Sequence, residues 1–170
     1  MNDRAGLRPG DALSTLYGAA AAVTRGNHED AAMLVAHLVD DHDVPRVLVA
    51  AALATLERLD AAMAGSPTPW RRDPRMFAGG LLELATATGL GSPPAVHAAA
   101  WRLDAVRLGN AADAAEAIVI SRQQLGDADL VAGAVAVLSV VVAIVAEDAG
   151  QPAAESAQNL SLAALVAGAG

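Results

Sequence analysis

Between Leu130 and Ala146 the chain runs for 17 residues with Ser139 as its only polar side chain and Gly133 as its only other small interruption. Such a run must be wrapped by protein or lie in lipid, because a helix that is apolar on all sides has no face to offer water. A membrane span needs about 20 apolar residues. This run is shorter, and it is bracketed by Asp127 and Asp129 on one side and by Glu147 and Asp148 on the other. No arginine stands at either end to set an orientation across a bilayer. Much of its hydropathy comes from Ala and Val. The sequence therefore predicts a core helix and no membrane association.

A buried rod needs other helices around it, and the remaining sequence supplies them. Alanine accounts for 43 of the 170 residues. It has the highest helix propensity, and its small side chain lets helix axes approach closely. Aromatic residues make up only 2%. The absence of cysteine rules out thiol catalysis, cysteine zinc sites and disulfide scaffolds. All 11 basic residues are Arg, and the heavy use of Ala, Gly, Arg and Asp points to a GC-rich bacterial genome. The net charge of −8 repels phosphate backbones and anionic membrane surfaces, so no nucleic-acid partner is expected. Arg4 and Arg8 precede Pro9-Gly10 without an apolar run, so no secretory signal is expected and the location follows as cytoplasmic.

Helix punctuation divides the chain into about eight segments. Asp11 caps a first helix that ends at Gly26; Asn27 caps a second, with Asp30 at its third position. Asp43 caps a third, with Pro45 in its first turn, stopping at Gly65. After the break Ser66-Pro67-Thr68-Pro69-Trp70, a fourth helix runs from about Arg75 to Thr88. Ser92 caps a fifth, Asn110 or Ala111 opens a sixth, Asp127 caps the apolar seventh, and Pro152 opens an eighth. The expected fold class is all-α, a helical bundle in a single domain over residues 1–170.

An offset of 83 residues aligns Gly26-Asn27-His28-Glu29-Asp30-Ala31-Ala32 with Gly109-Asn110-Ala111-Ala112-Asp113-Ala114-Ala115, with identity at five of the seven positions. The same offset lays the third helix on the seventh. The pattern suggests an internal repeat of a four-helix unit, 11–89 and 93–170. Chance similarity in alanine-rich sequence is the competing explanation. On the repeat reading both third helices, apolar nearly all round, are expected at the centre of the bundle.

Four places could carry chemistry or recognition. His37 and Asp41 are four apart on one helical face beside Asp40, His42 and Asp43, a spacing that could serve a metal. No HExxH pattern occurs, and a solvated helix end is the plainer account. Trp70, Arg71, Arg72, Arg75 and Phe77 gather Arg and aromatics beside a Pro-rich break, the composition of a partner-binding surface. Arg122 falls within the apolar stripe of the sixth helix, so it must reach water, pair with an acid or meet a ligand. His97 and Trp101 are four apart on the fifth helix; a stacked pair inside the bundle is the ordinary expectation, with His97 a candidate polar handle for a ligand.

No Walker loop, dinucleotide fingerprint, nucleophile elbow or zinc motif is present. No cofactor is expected. The functional expectation is a non-enzymatic interaction or scaffold protein, working as a homodimer or in a hetero-complex because so much apolar helix surface needs covering. The alternative is a helical small-molecule-binding protein with an apolar cavity between its halves, and Arg122 or His97 as the handle. An enzyme using His37 and its acidic neighbours with a metal is third.

Overall fold

A computed structural model describes residues 9–65 and 74–168. Among them are eight α-helices: α1 (Pro9–Thr24), α2 (His28–Asp41), α3 (Val44–Gly65), α4 (Pro74–Ala87), α5 (Pro93–Arg107), α6 (Ala111–Gln124), α7 (Asp127–Asp148) and α8 (Ala153–Gly168). No strand occurs among the described residues. The all-α bundle expected from the sequence is the fold.

The local chemistry of most boundaries is that of the sequence signals; the exception is Asp11, which does not cap the first helix but lies within the first turn of α1, two residues after its start at Pro9. The Asn27 side chain accepts the Asp30 amide at 3.1 Å and donates to the Asp30 carboxylate at 2.6 Å. Asn110 repeats both bonds with Asp113 at the same distances. Just before each asparagine a glycine in the left-handed region, Gly26 at φ 73° and Gly109 at φ 70°, closes the preceding helix. The Asn27 and Asn110 amides then reach back to the Ala22 and Ala105 carbonyls. Ser92 caps α5 by accepting the Ala95 amide, and Asp43 caps α3 by accepting that of Arg46. The apolar helix starts one residue earlier than expected: Gly126 is its cap and Asp127 its first residue.

α7 is the axis of the bundle, and every other helix touches it. It is the one helix among the described residues long and apolar enough to cross a membrane, yet 72% of its apolar window is buried inside the protein. Every residue from Leu130 to Val142 is buried. Each fully buried Leu or Val there contributes about 1.5–3 kcal/mol relative to exposure. Ser139 hides its hydroxyl on the Ala136 carbonyl at 2.7 Å, so the run buries no unsatisfied side-chain donor.

α3 departs from the expectation that both third helices are central. Val47, Leu48, Ala51 and Leu59 are buried, but Val49 and Ala50 are only half-buried and Leu53 is 54% exposed. Its inner face packs on α7 and α5, and the stretch of its outer face at Val49, Ala50 and Leu53 is left apolar and uncovered.

Two close approaches lock the bundle. In the first, α5 meets α7 almost backbone to backbone. A Cβ on Gly133 would stand 2.5 Å from the Ala95 carbonyl carbon, and one on Gly91, at φ +78°, would stand 2.7 Å from the Gly133 nitrogen. Asp129 in the first turn of α7 fixes that register, accepting the Ser92 amide at 2.8 Å and its hydroxyl at 2.5 Å. In the second, the first helix packs along the last. Ser14 and Gly18 of α1, four apart, lie against Ser161 of α8, whose hydroxyl meets the Ser14 carbonyl at 2.8 Å.

Gly133→Ala should lower stability by about 2–3 kcal/mol, because backbone rather than a pliable side chain occupies the space. Gly18→Ala meets only ordinary contacts at 3.8 Å and should raise stability by about 0.5–1 kcal/mol through helix propensity. Thermal unfolding of the two variants checks the pair of opposite signs. Asn27→Ala and Asn110→Ala should each cost about 1 kcal/mol in the same assay.

A candidate site in the groove between α3 and α6

The buried residues of α6 are Ala114, Ala117, Ile118 and Ser121. Three of these four side chains are small, and Ser121 turns its hydroxyl back onto the Ala117 carbonyl at 2.6 Å. That face suffices to seat α6 on α5, but α6 touches α7 only slightly and stands off from α3. The second helix of the first set behaves differently. α2 presents Val35 and Leu38, both buried, and reaches α7 as well as α1. Small residues on α6 leave a gap where α2 has none.

That gap is an open groove of about 1200 Å³. Val49, Ala50 and Leu53 of α3 form one wall; Ala115, Ile118 and Val119 of α6 form the other; Val106 of α5 lies between them. Leu53 and Val119 are 54% and 56% exposed. The lining follows α6 from Ala111 to Gln123, roughly 20 Å at the helical rise of 1.5 Å per residue.

The charged side chains lining the groove are Arg46, Arg122 and Asp127. Arg122 grips Asp127 with two bonds, Nε to Oδ1 at 2.9 Å and Nη2 to Oδ2 at 3.0 Å. The hydrogen bond to Asp127 raises the guanidinium pKa, with the Asp127 charge and more distantly that of Asp43 adding to it. Arg122 thus resolves its place on an apolar stripe by pairing with an acid at the start of the next helix. It borders the groove, but its Nε and Nη2 are engaged with Asp127. Arg46 is freer: its side chain is 90% exposed and only 3.8 Å contact with Asp43 restrains it.

The other sequence candidates fall elsewhere. His97 and Trp101 lie on the surface, not stacked inside the bundle. They line a smaller groove of about 500 Å³ on the other flank of α6, with Pro93, Pro94 and Gln124. Trp101 is 45% exposed, because α5 turns its Ala95, Ala99 and Leu103 side inward instead. His37 Nδ1 meets the Asp41 carboxylate at 2.5 Å, both half-exposed, and its ring stands edge-on to His42 at 6.0 Å. No group of three or more potential metal ligands occurs among the described residues. Trp70, Arg71 and Arg72 lie outside the described residues, as do the side chains of Arg75 and Phe77 at the start of α4.

Two features escape sequence reading. The groove walls are one, since exposed Leu53 and Val119 look like core residues by periodicity. The second is Arg102, the largest of the fully buried side chains at 2% exposure. Both of its terminal nitrogens are buried without a hydrogen-bond partner among the described residues. Burial pushes its pKa down to about 10, which leaves it charged at neutral pH. The signal was present: Arg102 shares an apolar stripe, here turned inward, with Ala95, Ala99 and Ala105, as Arg122 shares an apolar stripe, there facing the groove, with Ala115 and Ile118. No protein-family model, curated protein or solved structure matches this chain.

Proposed function

We propose that this protein is a non-enzymatic interaction module that receives an amphipathic helix of a protein partner in the α3/α6 groove. The single observation carrying this reading is the shape and chemistry of the groove. It is long, open and walled by aliphatic side chains, with its charges few. A partner helix docks in such a groove through apolar residues at i, i+3, i+4 and i+7. Four helical turns match its length of roughly 20 Å. Arg46, exposed and weakly held, offers a contact to an acidic residue on the partner. Burial of Leu53 and Val119 supplies the driving force, since a contiguous exposed apolar surface is the common mark of an interaction site.

A ligand with an apolar body and an acidic head is the second reading. The groove exceeds the usual 300–1,000 Å³ of a small-molecule pocket, and its openness to solvent favours a macromolecule. The linker around Trp70 and Arg72 is the rival protein-binding surface.

The test places a photo-crosslinking residue at Leu53, at Val119 and, as control, at Met33, which is 64% exposed on α2 away from the groove. Irradiation in the native host, followed by mass spectrometry of the adducts, should yield the same partner peptide from positions 53 and 119 and none from 33. That peptide should carry an apolar stripe of helical spacing. With that peptide synthesised, Leu53→Asp should weaken binding at least tenfold, about 1.4 kcal/mol. Trp70→Ala with Arg72→Ala should leave it unchanged. Adducts that prove to be small molecules, or adducts lost in the linker variant and kept in Leu53→Asp, overturn the proposal.

A further inference from the structure

The core contains a cation whose counter-charge the described residues do not supply. Arg102 projects from α5 toward α3 and α7, beside a small cavity bounded by Leu48, Ala52, Thr55, Ala99 and Val137. The cavity measures about 10 Å³, the space one water-sized particle requires. Its walls are apolar except for the guanidinium and the Thr55 hydroxyl, which already donates to the Ala51 carbonyl at 2.7 Å.

A buried, unpaired guanidinium is strongly unfavourable, and two separate deficits make it so. Its N–H donors have no acceptors, and its charge has no opposite charge in a medium of low polarity. A water molecule would correct only the first. A monatomic anion corrects both, because it accepts from Nη1 and Nη2 together and neutralises the charge. The cavity is too small for carboxylate, phosphate or sulfate.

We propose that the Arg102 cavity is a structural halide site, occupied by chloride, that couples the stability of the α3–α5–α7 core to chloride concentration. The site is independent of the groove, and its failure would leave the partner-binding reading intact.

The experiment compares thermal unfolding in sodium chloride and sodium gluconate at constant ionic strength. Chloride should raise the Tm saturably, by about 4 °C once its concentration exceeds the dissociation constant tenfold. Bromide should substitute for chloride, and a crystal grown in bromide should show an anomalous peak within hydrogen-bond distance of the Arg102 terminal nitrogens. Arg102→Met keeps the length and removes the charge. It should unfold at or above the wild-type temperature in gluconate and show no response to chloride. Equal melting of the wild type in both salts overturns the proposal, as does a bromide crystal without a peak at Arg102. A chloride response that persists in Arg102→Met overturns it too. If that variant does not fold, the wild-type salt comparison and the bromide crystal decide.

Discussion

The whole architecture answers to α7, a helix with no polar side. An amphipathic helix can lie on a surface, but one that is apolar all round must be enclosed. Seven helices touching one axis achieve this. Alanine and glycine let them come near enough that little is left open around it. The α5–α7 contact shows the limit of this strategy. Gly91, Gly133 and Ala95 bring two backbones together where no larger side chain fits. The Ser92–Asp129 bonds then supply the directionality that small apolar surfaces lack.

Packing with small side chains has consequences at the periphery. Where a helix carries Val and Leu inward, as α2 does at Val35 and Leu38, it can reach two neighbours at once. Where it carries Ala and Ser, as α6 does at Ala117 and Ser121, it seats on one neighbour, α5, and only grazes α7. The groove is the space that difference leaves, and it inherits aliphatic walls because α3 is apolar on its outer face too at Val49, Ala50 and Leu53. A similar economy of volume explains the Arg102 cavity. Ala51, Ala52, Ala99 and Ala134 around a long side chain leave room for one small particle and provide no acceptor.

Much of the fold was legible because helix boundaries are local chemistry. Asn27, Ser92 and Asn110 cap helices wherever they stand before a free amide three residues on. Gly26 and Gly109 end helices because few other residues tolerate positive φ. The site was much less legible. Arg122 was readable as an apolar-face cation, and Asp127 five residues later is its partner. His97 and Trp101 look like an interior pair by spacing, yet the α5 surface that turns inward is the neighbouring one. Leu53 carries no mark in the sequence to separate it from Leu48, although one lies in a groove and the other in the core.

By itself, then, the sequence determined that the chain is helical, where most of its helices begin and end, and that the run after Asp129 needs enclosure. These follow from hydrogen bonding and hydropathy within a few residues. The tertiary structure alone decided that α3 has an uncovered outer face while α7 has none, that α6 stands off to open a groove, and that Arg102 faces inward without a partner. Those outcomes depend on the summed shapes of side chains from helices far apart in sequence. No local pattern encodes which of several apolar faces finds a neighbour of the right size.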